Sequence, residues 1–210
     1  MGDQKVKCII VSGAPDNDIK FIKSKLDRSA FIIAADSGYK NCLKAGVIPD
    51  LIIGDFDSAS CPQFGNRVIR LPVEKNDTDT FYCVKEAVKL GYRDIELLCA
   101  IGDRVDHTYS NILCLEYCRQ NGVKCVISNA KNRVLLVEGE IEFEEEDYHY
   151  FSVFAFLGSA KGVTIKGAYY ETDNIDLKLD DQFCQSNHFN NGKVNISVKE
   201  GKILLIMSND

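Results

Sequence analysis

Apolar runs alternate with stretches of helical periodicity over roughly the first 130 residues of the chain. Strands are predicted at residues 5–12, 31–36, 51–55, 67–71, 95–100 and 124–128. Helices are predicted at residues 16–26, 39–45, 78–90 and 107–120, where apolar side chains recur three or four positions apart. Strands that are apolar throughout and separated by helices indicate an open, mainly parallel sheet with helices on both faces.

The pattern changes near Ala130, after which short β-rich segments follow one another without a helix. They lie at residues 134–137, 141–143, 150–156, 163–165, 177–179, 194–198 and 203–207, with turn signals such as Asn190-Asn191-Gly192 between them. This spacing is typical of an antiparallel sandwich or a small barrel. We therefore predict an α/β domain at residues 1–128 and an all-β sandwich domain at residues 129–210.

Composition and charge argue against several classes of function. The 210 residues are 45% hydrophobic and 27% charged, and the net charge of −6 argues against non-specific binding to nucleic acid. No apolar run approaches the roughly 20 residues that span a bilayer, and the N-terminus lacks a signal-peptide profile. Nine cysteines occur without a CxxC pair, which favours buried thiols in a reducing compartment. The expectation is a cytoplasmic protein that contacts neither membrane nor nucleic acid.

Acidic residues follow the predicted strands at the edge where parallel sheets bind ligands. Asp36 ends the second strand, Asp55 ends the third, and Asp57 lies two residues later. Residues two apart in extended chain point the same way, so Asp55 and Asp57 are expected to aim at one point. Gly54 leaves room there for the close approach of a ligand or of backbone.

Two further polar groups have both a structural and a functional explanation. In Lys75-Asn76-Asp77-Thr78-Asp79, either Asp77 or Thr78 is a good N-cap for the next helix, and Asp79 is favoured by the helix dipole. Alternatively, Asp79 joins Asp55 and Asp57 around a metal. The second group, Gly102–His107, is either a polar loop with Asp106 as an N-cap or part of the same site.

Several carboxylates in one cleft repel one another unless a cation lies between them. Carboxylate oxygens select hard cations such as Mg²⁺, which also binds substrate phosphates. Lys75 and Arg104 are the candidate direct contacts to phosphate. The chain lacks the P-loop, GxGxxG and protein-kinase motifs, so a phosphate-handling enzyme of this sequence belongs to none of those classes.

Four motifs together resemble one family. Ala35-Asp36-Ser37-Gly38, Pro49–Ser58 with its Gly-Asp-Phe-Asp core, Lys75–Asp79 and Gly102–His107 are similar in order and placement to thiamine pyrophosphokinase (thiamine diphosphokinase). The resemblance is strong over residues 34–111. Ser186-Asn187-His188-Phe189 and the two strands after it resemble the family's closing β-domain more weakly.

The resemblance implies a homodimeric transferase whose active site lies near the subunit interface. The implied reaction moves the pyrophosphoryl group of ATP to the hydroxyl of thiamine, giving thiamine diphosphate and AMP. The α/β domain would bind nucleotide and metal, and the β-domain would bind thiamine and mediate dimerisation. The implied Mg²⁺ ligands, which are also catalytic, are Asp55, Asp57 and Asp79, and Asp106 is the fourth catalytic residue. The implied nucleotide, phosphate and thiamine contacts are Asp36, Lys75, Asp77, Thr78, Arg104, Ser186 and Asn187.

The chain departs from the family pattern at Asn76, where an acid is common, and at His188, where Glu is common. A relative acting on a different alcohol remains open, and so do two other functions. One is a non-catalytic module in which the acids serve as caps and the β-rich half holds a cationic ligand. The other is a metal-dependent phosphohydrolase, which would hydrolyse nucleotide without any need for thiamine.

Asp57→Asn is expected to abolish most turnover while the fold survives, because the substitution removes metal-binding charge from the cleft without removing volume. Steady-state turnover and circular dichroism of the purified variant check this. Normal turnover would contradict the metal assignment.

Overall fold

The computed structural model describes residues 7–15, 18–26, 29–56, 67–145, 148–190 and 192–210. The chain forms two compact units, Met1–Ala130 and Lys131–Asp210. Asp57 lies outside the described residues.

The first unit is built on a six-stranded parallel sheet. The strands are β1 (Cys8–Val11), β2 (Phe31–Ala35), β3 (Leu51–Gly54), β4 (Arg67–Arg70), β5 (Asp94–Leu98) and β6 (Lys124–Ser128). Their spatial order is β6-β5-β1-β2-β3-β4, and every neighbouring pair is parallel. The chain therefore reverses direction across the sheet beside β1, which makes the carboxyl ends of β1 and β5 the expected ligand crevice.

Four helices cover this sheet: α1 (Ile19–Lys25), α2 (Gly38–Lys44), α3 (Asp79–Lys89) and α4 (Val105–Gln120). Ile22 of α1 and Tyr39 of α2 pack with alternate strand residues such as Ile9 and Ile32 in one buried cluster. The intervening strand positions point to the opposite face, and α3 contacts α4. The predicted α/β fold class is confirmed. Within the described residues, no helix combines the length and apolarity needed to cross a membrane.

The second unit consists of antiparallel strands. They are β7 (Asn132–Val137), β8 (Glu140–Glu144), β9 (Tyr150–Ala155), β10 (Ala160–Lys166), β11 (Thr172–Leu177), β12 (Asn187–His188), β13 (Lys193–Ser197) and β14 (Ile203–Ser208). One layer has the order β12-β9-β14-β7 and the other β11-β10-β13-β8. Phe151 and Leu205 from the first layer share a buried core with Val163 and Ile196 from the second. This arrangement is the predicted sandwich.

One predicted strand is misplaced. The segment 177–179 was expected to be extended, but β11 occupies Thr172–Leu177 and Leu179 is 67% exposed. Most side chains of β11 are polar, and only Ile175 and Leu177 pack against the core. The pairing of β11 with β10 is interrupted by register shifts. An apolar-run criterion misses a strand of this kind, because it depends on pairing at the sheet edge rather than on burial.

Candidate active site

A cavity of about 670 Å³ lies in the first unit at the carboxyl ends of the parallel strands. It is lined by residues 12–15, 35–37, 73, 75, 77–80, 99, 100, 102–104, 107, 108 and 111. Six residues predicted from the sequence are among them: Asp36, Lys75, Asp77, Thr78, Asp79 and Arg104. The volume lies within the roughly 300–1,000 Å³ typical of small-molecule sites.

Backbone strain marks the same edge of the sheet. Asp36 follows β2 with φ 44°, Phe56 follows β3 with φ 56°, and Cys99 follows β5 with φ 53°. Non-glycine residues in this left-handed region are uncommon and persist where the surrounding structure imposes them, often at functional sites. Gly54 explains part of the constraint, because a Cβ there would lie 2.8 Å from the Cα of Asp36.

One lysine joins two acidic side chains from different elements. The ammonium of Lys75 forms a hydrogen-bonded ion pair with Asp55, directly after β3, and its Nζ lies 3.2 Å from Oδ1 of Asp79, the first residue of α3. The contact to Asp79 lacks hydrogen-bond alignment, so it is an ion pair rather than a directed bond. The side chains of Lys75 and Asp55 are only 11% and 10% exposed, so screening by solvent is weak.

The pKa values of Asp79 and Lys75 reflect the close spacing of charged groups in this cluster. Burial raises the pKa of the Asp79 carboxyl, and the nearby carboxylates of Asp55 and Asp36 raise it further, although Lys75 opposes them. Burial lowers the pKa of Lys75, but the hydrogen bond to Asp55 and the ion pairs with Asp55 and Asp79 outweigh burial and leave that pKa raised. Negative charge at Asp79 is therefore disfavoured, and an added cation would relieve that cost.

Helix capping explains only part of residues 77–79, and the metal role of Asp79 stays a prediction. Thr78 is the N-cap of α3, and its Oγ1 accepts a hydrogen bond of 3.2 Å from the amide of Phe81. Asp77 is not the cap but pairs with Lys85 at 2.5 Å. Capping thus accounts for Thr78, while Asp79 turns its carboxylate to Lys75.

Arg104 and Asp106 bind each other at the rim. The guanidinium donates from Nε to Oδ1 at 3.2 Å and from Nη2 to Oδ2 at 2.6 Å, and both side chains are largely exposed. The suggestion that Asp106 is the N-cap of its helix is wrong, because α4 begins at Val105 with Arg104 in the cap position. Asp106 lies within the first turn of α4, where the helix dipole stabilises its negative charge.

Buried polar residues that were not singled out from the sequence hold the loops of the cavity. Ser12 Oγ and Thr80 Oγ1 share a buried hydrogen bond of 2.9 Å between the end of β1 and the first turn of α3. Asn41 donates to the carbonyl oxygens of Ser12 and Ala14 at 3.3 and 3.1 Å. Asn111 donates to the carbonyl of Ala100 at 2.8 Å. The sequence shows Asn41 and Asn111 as amide side chains among the apolar positions of predicted helices. It does not show which backbone groups they bind.

Within the described ranges, no group of three or more His, Cys, Asp or Glu side chains is arranged to hold a metal ion. Mg²⁺, however, usually takes only one or two protein carboxylates together with waters and phosphate oxygens. Asp55 and Asp79 fit that smaller donor set, since both contact the same ammonium.

In the second unit, Asn187 is buried and its side chain serves the backbone. Its Nδ2 donates to the carbonyl of Tyr170 at 2.7 Å, and its Oδ1 accepts from the amide of Tyr170 at 3.0 Å. Neighbouring Ser186 is exposed, has φ 55°, and donates its amide to Ser152 Oγ at 3.0 Å. The ring of His188 stacks on Tyr169 with centroids 4.6 Å apart.

Fold and site together define an α/β enzyme with a carboxylate-lined ligand cavity and an additional β-sandwich unit. Residues 22–127 match the family model described as thiamin pyrophosphokinase, catalytic domain, and residues 138–203 match the one described as its vitamin B1 binding domain. The chain belongs to the thiamin pyrophosphokinase family of transferases, which confirms the resemblance.

The similarity to known thiamine pyrophosphokinases extends over nearly the full length of the chain. Thiamine pyrophosphokinase from Bacillus subtilis is 27% identical over 96% of this chain and 98% of its own. The solved structure of thiamine pyrophosphokinase from Bacillus subtilis has a TM-score of 0.89 at 25% identity, covering 97% of this chain and 99% of that one. The enzyme from Geobacillus thermodenitrificans has a TM-score of 0.86 at 25% identity, with coverages of 97% and 98%.

Asn111→Ala is expected to cost about 1–3 kcal/mol of unfolding free energy, because it leaves the buried carbonyl of Ala100 without its donor. Turnover should fall as well, since that loop lines the cavity. Asn121→Ala is the matched control. Asn121 is exposed at the C-cap of α4 and donates to Tyr117 O at 2.8 Å, and its loss should cost less than about 0.5 kcal/mol. Urea denaturation compares the two, and equal costs would contradict the anchoring role.

Proposed function

We propose that this chain transfers the pyrophosphoryl group of ATP to the hydroxyl of thiamine, giving thiamine diphosphate and AMP. The observation that carries the proposal is the cavity at the carboxyl edge of the sheet, where Asp36, Lys75 and Asp79 converge in a chain of this family. The cavity supplies both a cation and carboxylates, which a nucleotide triphosphate with its metal requires.

Asp36, Lys75, Asp77, Thr78 and Arg104 are proposed to bind the nucleotide and its phosphates. All five line the cavity, which supports the assignment. The guanidinium of Arg104 is exposed and pairs with Asp106. Its guanidinium can therefore exchange one carboxylate for a phosphate at little cost in desolvation.

Asp55 and Asp79 are the proposed ligands of Mg²⁺, with Asp57 as the third by sequence. The buried, mutually repelling carboxylates and the raised pKa of Asp79, caused first by burial, support a cation at this place. When bound, Mg²⁺ neutralises charge on the phosphates and orients them.

The reaction joins the hydroxyl oxygen of thiamine to the β-phosphorus and breaks the bond from that phosphorus to the oxygen that leaves with AMP. The protein's own groups contribute by aligning the hydroxyl with the leaving oxygen and by holding positive charge against the phosphates. The proton of the hydroxyl passes to a base, for which Asp79 and Asp106 are the two candidates. Asp106 is the poorer base while it is paired with Arg104, because those hydrogen bonds lower its pKa.

Thiamine recognition is proposed for the second unit, whose residues 138–203 match the vitamin B1 binding domain. Ser186 is the better candidate for direct contact because it is exposed, whereas the Asn187 amide is occupied by Tyr170. Asn187 is proposed to position the segment. The homodimer and the cytoplasmic location remain predictions from the sequence.

The test is a product assay with ATP and Mg²⁺, run with and without thiamine. We expect AMP and thiamine diphosphate in equal amounts, and neither product when thiamine or Mg²⁺ is omitted. Nucleotide hydrolysis that ignores thiamine would favour a phosphohydrolase, ADP would indicate a simple kinase, and no turnover would favour a binding module.

A further inference from the structure

The side chain of Lys75 contacts both proposed metal ligands, Asp55 and Asp79. Its ammonium contacts Asp55 and Asp79 together, and it is mostly shielded from solvent. The two carboxylates come from separate elements, the end of β3 and the start of α3. A single cation therefore bridges these elements at the place where the proposed function requires a divalent ion.

The position of Lys75 in the chain allows its ammonium group to change partners. It lies in the segment between β4 and α3, outside regular structure, and its neighbours Glu74 and Asn76 are exposed. The ammonium is carried on a flexible four-carbon stem, so it can leave the carboxylates without any shift of strand or helix. The side chain also lines the cavity, so phosphate oxygens are within its proposed reach.

We propose that the ammonium of Lys75 holds the place of the divalent cation in the ligand-free enzyme and is displaced onto nucleotide phosphate when cation and nucleotide enter together. This inference rests on the proposed assignment of Asp55 and Asp79 as metal ligands. Lys75 would thus pair either with the carboxylates of Asp55 and Asp79 or with the nucleotide phosphates.

Two binding properties follow from the competition. A divalent cation alone must displace an internal ammonium that then has no partner, so it binds weakly. With nucleotide present, the displaced ammonium gains a phosphate, so cation and nucleotide strengthen each other's binding. The enzyme would thereby avoid loading metal without nucleotide.

The first test measures binding of Mn²⁺ alone, followed by the electron paramagnetic resonance signal of the free ion. Lys75→Met keeps the length of the side chain and removes its charge, so we expect the Mn²⁺ dissociation constant to fall about tenfold. Lys89→Met is the charge-matched control, because Lys89 lies on α3, is 77% exposed and pairs with Glu86 at 3.1 Å, away from Asp55 and Asp79. The Mn²⁺ dissociation constant of this variant should stay within about twofold of wild type. Unchanged or weaker binding to Lys75→Met would overturn the proposal.

The second test uses the wild-type enzyme and does not depend on the folding of a variant. Acetic anhydride labels lysine amines, and mass spectrometry reads each site. Saturating Mg²⁺ alone should raise labelling of Lys75 severalfold and leave Lys89 unchanged, and adding a non-hydrolysable ATP analogue should lower Lys75 labelling again. No response of Lys75 to Mg²⁺ would overturn the displacement.

These readouts separate the inference from the proposed function. Neither experiment needs turnover, so competition at Lys75 can be present even if no thiamine diphosphate forms, which would refute the function alone. Conversely, normal product formation without any competition would overturn only the role of Lys75.

Discussion

Repulsion among carboxylates at one edge of the parallel sheet is the constraint on which this structure depends. Parallel strands bring their carboxyl ends to the same side, so the acids that follow β2 and β3 cannot avoid one another or Asp79 at the start of α3. Burial strengthens their repulsion because solvent screens it poorly. The ammonium of Lys75, which contacts both Asp55 and Asp79, offsets part of that repulsion. The proposed metal and nucleotide would relieve it during the reaction.

The backbone around this edge is fixed by close approach and by buried amides rather than by the acids themselves. Gly54 lets β3 pass within contact distance of Asp36, and Asn41 and Asn111 tie the loops after β1 and β5 to the helices. Such anchors matter because positioning supplies much of the rate in phosphoryl-group transfer. Asp36 and Cys99, both in the left-handed conformation, are bonded through the backbone: the Asp36 amide donates to Ile53 O at 2.7 Å, and the Cys99 carbonyl accepts from the Ala14 amide at 3.0 Å.

The fold was largely predictable from sequence because buried parallel strands are apolar on both faces and leave a strong pattern. The polar edge strand β11 was misplaced because its sequence carries only two inward-facing apolar residues. Strand-end placement predicted that Asp36 and Asp55 lie at one edge of the sheet, and the structure places Asp79 beside them at the start of α3. It could not identify Asn111 or the Ser12–Thr80 bond, because those contacts join residues far apart in the chain. Asp106 was offered as a possible cap, but an acid is favoured equally well within the first turn of a helix, where Asp106 lies.

In the proposed reaction, two phosphoryl groups move together from ATP to an alcohol. ATP labelled at its β-phosphorus distinguishes this transfer from the alternatives when the products are separated after a single turnover in the presence of thiamine. We expect the label in the thiamine product and unlabelled AMP. Label recovered in ADP, or in phosphate released to water, would rule out pyrophosphoryl transfer.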